Sequence, residues 1–288
     1  MDTLKGILFI TFWASATVAT KFAIKSADLF LFTCLRFATV AVILQVYMYG
    51  IKRTKEVLPT TAQMKQLLVL GALSITLYMS GFLIAIENVS AGLISLIFST
   101  NPLILILLSA VILKNKVSLR EWLGIAIAVG GLVVAAIPNL QNNHASFKGI
   151  VALMGGITSF SLGSIYFSKA KLGLSNLAVN TWQITYGTLL FIPLVLLNHN
   201  HNFLIADKNF YLSFAWLVVP VSIVGYGLWL GLLQKDAVKA GKWLFLAPVL
   251  GYAMAVVILK EPLTVYGIAG TILVLAGLIF SRKKVVAA

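Results

Sequence analysis

The fold is decided by two stretches that lie half the chain apart, LLSAVILKNKVSLREWLGIAIAVGGLV (residues 107–133) and AMAVVILKEPLTVYGIAGTILVLAGLI (residues 253–279). At a constant offset of 146 residues, Gly124 aligns with Gly270 and Gly131 aligns with Gly277. The same offset, continued backward, places Pro102 on Pro248. The chain therefore contains two copies of one unit, each about half its length.

The composition indicates that the solvent of this chain is lipid. Of the 288 residues, 60% are hydrophobic and 10% are charged, whereas soluble domains carry about 25% charged side chains. Apolar segments of about 18 to 24 residues, long enough to cross a bilayer as helices, run roughly over 6–24, 29–49, 66–86, 90–113, 118–137, 149–168, 175–197, 212–233, 238–259 and 263–281. We expect an all-α integral membrane protein with ten transmembrane helices.

The two copies are expected to be inverted relative to each other. Five helices per copy is an odd number, so the second copy enters the membrane from the opposite side. The predicted repeats are residues 1–138 and residues 146–284. Inverted repeats are typical of secondary transporters, whose site lies near the bilayer midplane between the halves. The alternative is a membrane scaffold or lipid-facing regulatory protein made of two related halves.

The net charge of +14 reflects basic residues in short connectors between the apolar segments. No clustered basic face with interleaved aromatic residues is present, which argues against nucleic-acid binding. Sixteen Lys and Arg residues fall on the side of the termini and five on the other. By the positive-inside rule, both termini are predicted to be cytoplasmic, in an inner or plasma membrane.

The N-terminal segment has a second interpretation. Ala14-Ser15-Ala16 resembles the cleavage site of a signal peptide. We interpret the segment as an uncleaved transmembrane helix, since only Lys5 precedes it as a positive charge and nine further spans follow.

A proline interrupts the fourth segment in FSTNPLIL (residues 98–105), and its repeat partner Pro248 lies in FLAPVLGY (residues 245–252). Proline removes one backbone donor and frees a carbonyl a turn earlier, which membranes tolerate only where neighbouring groups or a wet cavity satisfy the backbone. Pro102 and Pro248 are predicted helix breaks and hinges. Asn101, just before Pro102, could serve either the helix or a substrate.

Motifs along the whole chain resemble the ten-helix drug/metabolite transporter superfamily of the EamA type. In the first repeat they are Trp13-Ala14-Ser15 through Lys21, Leu35-Arg36-Phe37-Ala38, Ser90-Ala91-Gly92 through Asn101-Pro102, and Glu121-Trp122-Leu123-Gly124. In the second repeat they are Trp182-Gln183, Gly187, Pro193, Trp243 to Pro248, Lys260-Glu261-Pro262-Leu263-Thr264, and Gly270 to Gly277. One departure is that Lys114-Asn115-Lys116 stands where the second repeat has Lys-Glu-Pro, which weakens the expectation that the two connectors act as equivalent gates.

The resemblance implies two EamA repeats around a central cavity, and a transporter that moves a small metabolite, often an amino acid or related compound, commonly outward. Alternating access between the halves is the expected mechanism. No HExxH, GxxxxGK[ST] or GxSxG motif is present, so no enzyme activity and no cofactor are expected. The expected partners are the substrate and membrane lipid. The sequence is compatible with a monomer and with a homodimer.

Aromatic and amide side chains at membrane depth are the main candidates for substrate binding, because rings offer apolar contact with a polar tip and an amide has more hydrogen-bonding demand than its own helix meets. The candidate residues are Trp13, Ser15, Tyr78, Asn101, Trp182, Gln183, Tyr226, Trp229, Lys242 and Trp243. Lys242 could meet a substrate carboxylate or act as an anchor beside Lys239. Arg36, inside the second segment, is interpreted as either snorkelling to the surface or forming an interior pair.

Proton coupling and metal binding rest on few residues. No acidic residue lies at the centre of a segment, so uniport, exchange or facilitated diffusion fits better than proton coupling. Glu87, at the end of the third segment, is the deepest candidate for the alternative of a proton-coupled drug exporter. His199 and His201 could bind a metal as a pair, but two ligands in a polar connector are more often solvated, so no metal site is expected. Cys34 is interpreted as a packing residue.

Overall fold

The computed structural model describes residues 2–51, 58–113, 117–141, 146–170, 172–197, 203–235 and 243–281. These residues are helical apart from short connectors, and the β pairing among them is an isolated bridge between Ala27 and Leu204. The α-helices are α1 (Asp2–Ala23), α2 (Leu29–Gln45), α3 (Thr61–Gly71), α4 (Tyr78–Asn88), α5 (Ala91–Phe98), α6 (Asn101–Leu113), α7 (Leu119–Gln141), α8 (Phe147–Lys169), α9 (Asn176–Leu197), α10 (Lys208–Trp216), α11 (Tyr226–Lys235), α12 (Ala247–Leu259) and α13 (Val265–Phe280).

Three π-helical segments continue or join these helices: Val46–Ile51 after α2, Ala72–Leu77 between α3 and α4, and Leu217–Gly225 between α10 and α11. The joined helices act as single spans. Residues 61–88 form the third span and residues 208–232 form the eighth span.

Eight helical stretches within the described residues are long and apolar enough to cross a membrane: Thr3–Ala23, Leu29–Ile51, Thr61–Asn88, Ala91–Ile112, Leu119–Pro138, Phe147–Phe167, Asn176–Leu197 and Lys208–Leu232. They correspond to the first eight predicted segments. The last two apolar helices, α12 and α13, are shorter, with 13 and 16 residues. Residues 236–242, which the sequence assigned in part to the ninth segment, lie outside the described residues.

Short polar residues begin several of these helices. The side chains of Ser90, Ser146 and Thr264 each accept a hydrogen bond from the backbone N–H three residues further on. Such caps satisfy donors that the first helical turn leaves unpaired. At these three positions, the caps mark where the helix begins.

The two proline sites have the same local structure. Helix α5 ends at Phe98 and α6 begins at Asn101, so Pro102 is the second residue of α6. In the other repeat a short 3₁₀ turn, Leu244–Leu246, precedes α12, whose second residue is Pro248. A proline in the first turn costs no intrahelical hydrogen bond, because its N–H would have no partner there. Each proline therefore starts a new helix.

Helices α7 and α13 pack closely through paired glycines. A Cβ at Gly124 would lie 2.6 Å from the carbonyl oxygen of Gly277, and a Cβ at Gly131 would lie 2.8 Å from that of Gly270. Small residues let helix backbones approach each other in this way within lipid. Gly124 thus faces the repeat partner of Gly131, and Gly131 faces the repeat partner of Gly124.

The other helix contacts are reciprocal in the same sense. Helix α1 packs on the eighth span, and α8, its repeat partner, packs on the third span. The eighth span also contacts α2, while the third contacts α9. The segments at the proline breaks follow the pattern, since α1 packs on α12 and α8 packs on α6.

Candidate functional site

A central cavity lies where eight spans and helices of both halves meet. Its volume is about 60 Å³, which is enough to hold water molecules. The residues that line this central cavity are Trp13, Ala14, Ala16, Thr17, Thr20, Arg36, Phe37, Ser74, Ile75, Tyr78, Met79, Phe82, Ile94, Ser95, Phe98, Phe160, Ile184, Val221, Ser222, Tyr226 and Ala247. Many of these residues lie well inside their spans, so the cavity is at membrane depth.

Aromatic rings form one wall of the central cavity. The ring of Trp13 lies 5.6 Å from that of Phe98, 5.9 Å from Phe160 and 6.5 Å from Tyr226, measured between centroids. Tyr78 packs 5.1 Å from Phe160. Tilted rings at these separations attract each other and are held rigidly. The wall is therefore a preformed apolar surface with polar tips.

Arg36 is the charged member of the described lining. It is 6% exposed, and its Nε and Nη2 atoms donate to Ser222 Oγ at 3.0 and 2.8 Å. Its Cζ lies 4.8 Å from the ring centroid of Phe37. No Asp or Glu is present among the described residues of the lining. A full positive charge therefore faces the cavity with a neutral hydroxyl as its protein partner.

The π-helical segments position the polar side of the cavity. Ser222 lies in the segment Leu217–Gly225, and its hydroxyl donates to the carbonyl oxygen of Leu217 five residues earlier at 2.8 Å. The segment Ala72–Leu77 contributes Ser74 and Ile75 to the lining. At the offset of 146 residues the two segments overlap. π-Helical turns are rare and are frequent at functional sites, so their placement on both sides of the cavity marks it as the candidate site.

Phe9, Trp229, Trp243 and Leu244 belong to an apolar cluster that packs beside the cavity near the start of α1, named here the aromatic plug. The rings of Phe9 and Trp229 stack at 5.0 Å with an interplanar angle of 19°. Trp243 lies against Gly6, where a Cβ would collide with its indole ring. Trp13 contacts both the plug and the cavity wall, since Phe9 lies 5.7 Å from it.

The opposite end of the protein holds a larger, more polar space, named here the vestibule, of about 440 Å³ by the same measure. Its charged lining residues are Lys21, Glu87, Lys260 and Glu261. Lys21 Nζ donates to the Ile86 carbonyl oxygen. The Glu261 carboxylate accepts from the backbone N–H groups at the start of α5 at 2.7 and 3.0 Å. A connector of the second repeat is thus fastened to a helix of the first.

Three of the sequence candidates, Trp13, Tyr78 and Tyr226, line the central cavity. Trp229 and Trp243 lie in the aromatic plug. These five rings are brought together by the fold from the first, third, eighth and ninth predicted segments. The structure thus places half of the candidates at or beside one cavity.

Ser15 and Trp182 lie elsewhere. Ser15 Oγ donates to the Phe12 carbonyl oxygen and accepts from Trp216 Nε1. Trp182 Nε1 donates to the Tyr49 hydroxyl at 3.1 Å. Both side chains therefore have protein partners outside the described lining.

The two amide candidates are fully buried. Asn101 Oδ1 accepts a hydrogen bond of 2.6 Å from Ser161 Oγ, which joins α6 to α8. Gln183 Nε2 donates to Asn180 Oδ1 at 3.2 Å, and Gln183 Oε1 has no hydrogen-bond partner among the described residues. Neither side chain is in the described lining of the cavity. The amide of Asn101 instead bonds to a side chain of the neighbouring helix α8.

Lys242 lies outside the described residues, and its substrate contact stays a prediction. Arg36 is the charged residue of the described cavity lining, and the list of sequence candidates did not include it. Its signal was a charged side chain inside an apolar segment, which by itself does not distinguish snorkelling from an inward orientation. The structure buries it facing the cavity.

The fold and the cavity define a class: a multi-pass helical membrane protein that encloses a small site between its two halves. Comparison with known families then supplies the family. The model of the EamA-like transporter family matches residues 3–137 and again residues 147–282. The chain belongs to this family.

Individual relatives are transporters by name. An uncharacterized transporter of Archaeoglobus fulgidus is 28% identical over 281 residues, covering 96% of this chain and 97% of that protein. A protein of Escherichia coli K12, named a probable amino-acid metabolite efflux pump, is 26% identical over 288 residues, covering 96% of this chain and 93% of its own length. A Salmonella typhimurium protein of the same name is 28% identical over 197 residues, covering 65% of this chain and 66% of its own length.

A solved crystal structure has a similar fold. It superimposes with a TM-score of 0.67 over 97% of this chain and 96% of its own length, at 18% sequence identity. At that identity the likeness concerns the fold alone.

Proposed function

We propose that this EamA-family transporter is a secondary transporter that exports a small organic metabolite, an amino acid or a related compound, by alternating access. The central cavity is the observation that carries the proposal. It lies at membrane depth between the aromatic plug and the vestibule, and its wall combines preformed rings with hydroxyls and one guanidinium. Such convergence of a few polar groups in an apolar pocket is typical of small-molecule sites.

Inverted five-helix repeats are part of the proposal. The reciprocal glycine contacts of α7 and α13, and the reciprocal packing of α1 and α8, are what a two-fold axis relating the halves would generate. Two separate matches of one family model support the same division. With α12 and α13 counted as the last two spans, the protein has ten spans and both termini lie on the cytoplasmic side of the inner or plasma membrane.

The cargo class and direction are supported by the relatives named as amino-acid metabolite efflux pumps. Lys242 keeps its predicted role at the cytoplasmic entrance, and Pro102 and Pro248 keep their predicted role as hinges. The cavity itself suits a small cargo, because larger compounds would need the ring wall to open.

The test is transport by purified protein in liposomes loaded with radiolabelled amino acids. Efflux above that of protein-free liposomes is expected for at least one amino acid. Failure to move any member of a broad metabolite panel would favour the scaffold alternative.

Repeating the assay with an imposed pH gradient addresses coupling to protons. Glu87 lines the vestibule and the described lining of the cavity holds no carboxylate, so we expect Glu87→Gln to transport at the wild-type rate. If Glu87→Gln abolished pH-driven accumulation while binding persisted, the protein would be a proton-coupled exporter.

A further inference from the structure

We infer that Arg36 is the anion-recognition residue of the central cavity and that the cargo carries a carboxylate. This inference rests on the proposed transport function, and it concerns the same cavity. It assigns the carboxylate contact to the middle of the protein, where the sequence suggested only Lys242 at one entrance.

The charge of Arg36 is uncompensated in the described part of the site. The side chain is 6% exposed, and its hydrogen bonds in the described structure go to the neutral hydroxyl of Ser222. A buried charge is retained in membrane spans at a cost, and it normally meets an opposite charge or a water-filled cavity. An anionic cargo supplies the missing charge when it enters.

The geometry leaves a free recognition edge on the guanidinium. Of its five N–H donors, Nε and Nη2 each direct one to Ser222. Ser222 in turn donates to the Leu217 carbonyl oxygen, so the hydroxyl is held in place and fixes the orientation of the guanidinium. The remaining Nη donors form the planar fork that binds a carboxylate through two parallel hydrogen bonds.

The rest of the described lining selects a singly charged anion. Arg36 is the one Lys or Arg among these residues, whereas a phosphate dianion favours sites with more positive charge or several backbone donors. Trp13 and Tyr226 line the same cavity, with their ring centroids 6.5 Å apart. Those rings can attract a cargo ammonium group by cation–π interaction, so a free amino acid satisfies both sides of the site.

The first experiment uses the wild-type protein and needs no substitution. Purified protein in neutral detergent is screened by thermal unfolding against amino acids and against the corresponding C-terminal amides. A ligand that binds only the folded state raises the unfolding temperature by mass action. The expected result is stabilisation by one or more free acids and none by their amides. Equal stabilisation by acid and amide overturns the inference.

The second experiment compares two variants of Arg36 with a matched control. Arg36→Gln is expected to raise the Kd of the stabilising amino acid by about 30-fold or more, since breaking a buried charge pair is costly. Arg36→Lys, which keeps the charge and loses the fork, is expected to restore part of this affinity. Arg120→Gln is the control, because Arg120 is exposed and donates to the Phe280 carbonyl oxygen away from the cavity. Its Kd should stay within about 2-fold of wild type.

The outcomes separate this inference from the proposed function. Amino-acid efflux that survives Arg36→Gln with an unchanged Kd leaves the transporter intact and overturns the role of Arg36. Absence of transport and binding for every amino acid overturns both.

Discussion

At the residue scale, buried polar side chains in this protein differ in whether the protein itself satisfies them. Asn101 and Ser161 pair with each other across two helices at 2.6 Å. The hydroxyls of Ser99 and Thr100 donate hydrogen bonds to the carbonyl oxygens of Leu96 and Ile97 at the end of α5. Arg36, by contrast, has a hydroxyl where a charge would be the matching partner. A charge without an opposite charge beside it therefore distinguishes Arg36, the candidate binding residue, from the polar residues that bond within the protein.

The Asn101 pair leads to a prediction about stability. Asn101→Ala leaves the Ser161 hydroxyl without its acceptor, so the free energy of unfolding should fall by about 0.5–2 kcal/mol. Unfolding by denaturant in detergent micelles measures the change. Ser161→Ala is the matched partner, and the double variant should lose less than the sum of the two single losses.

The same variants test whether Asn101 contacts the cargo. The Kd of the stabilising amino acid should remain within about 2-fold of wild type, because Asn101 is not in the described lining. A tenfold rise in Kd with unchanged stability would instead assign Asn101 to cargo binding.

At the element scale, the irregular helical segments position cavity residues, and the close helix contacts hold the helices together. The π-helical segments place Ser74 and Ser222 on the cavity, and the Leu73 carbonyl oxygen in one of them accepts a hydrogen bond from Ser159 Oγ at 2.9 Å. Helices α7 and α13 instead make a regular, tightly packed pair through glycine. The pair lies outside the described cavity lining and is expected to contribute stability.

This pairing predicts opposite outcomes at two neighbouring glycines of α7. A Cβ at Gly131 would lie 2.8 Å from the Gly270 carbonyl oxygen and 2.8 Å from Val274 N, while a Cβ at Gly130 would meet nothing within 4 Å. Gly131→Ala should therefore lower the free energy of unfolding by about 1–3 kcal/mol through overpacking. Thermal unfolding in detergent measures the loss.

Gly130→Ala is the control for the change in helix propensity. It should leave stability unchanged or raise it slightly, because alanine is the better helix former. Equal effects at the two positions would show that α7 and α13 are not held together at Gly131.

At the scale of the whole molecule, the central cavity lies between two unlike ends. The plug end holds stacked rings, and the vestibule end holds a larger space with charged lining residues. The hydrogen bonds that the Glu261 carboxylate accepts from the start of α5 have no sequence counterpart in the first half of the chain, where Asn115 occupies the aligned position. Related halves thus carry different chemistry at their two ends.

The proposed orientation predicts the accessibility of the two ends. In a background of Cys34→Ala, Asn88→Cys places a thiol at an exposed vestibule position, and Lys5→Cys places one near the N-terminus. A membrane-impermeant maleimide should label Asn88→Cys in intact cells and should label Lys5→Cys only after permeabilisation. The reverse pattern would contradict cytoplasmic termini.

Short-range features of this sequence predict its helices well. Uninterrupted apolar segments, polar caps such as Ser146 and the two proline breaks are short-range features, because a helix forms and ends through contacts within four residues. The aligned glycines Gly124 and Gly270 also indicated the two copies. Eight of the predicted segments are long helical stretches in the described structure, the ninth lies partly outside the described residues, and α13 is shorter than the predicted tenth segment.

The sequence by itself determined the membrane class, most of the spans and the likeness between the halves, because hydrophobicity and capping act locally. Only the tertiary structure decided which polar residues meet in one place. Trp13, Tyr78 and Tyr226 converge with Arg36 on the cavity, whereas Ser15 and Trp182 find partners elsewhere. The physical reason is that the direction of a side chain around a helix axis carries no signal in a span that is apolar on all sides, so only packing against other helices makes one face interior.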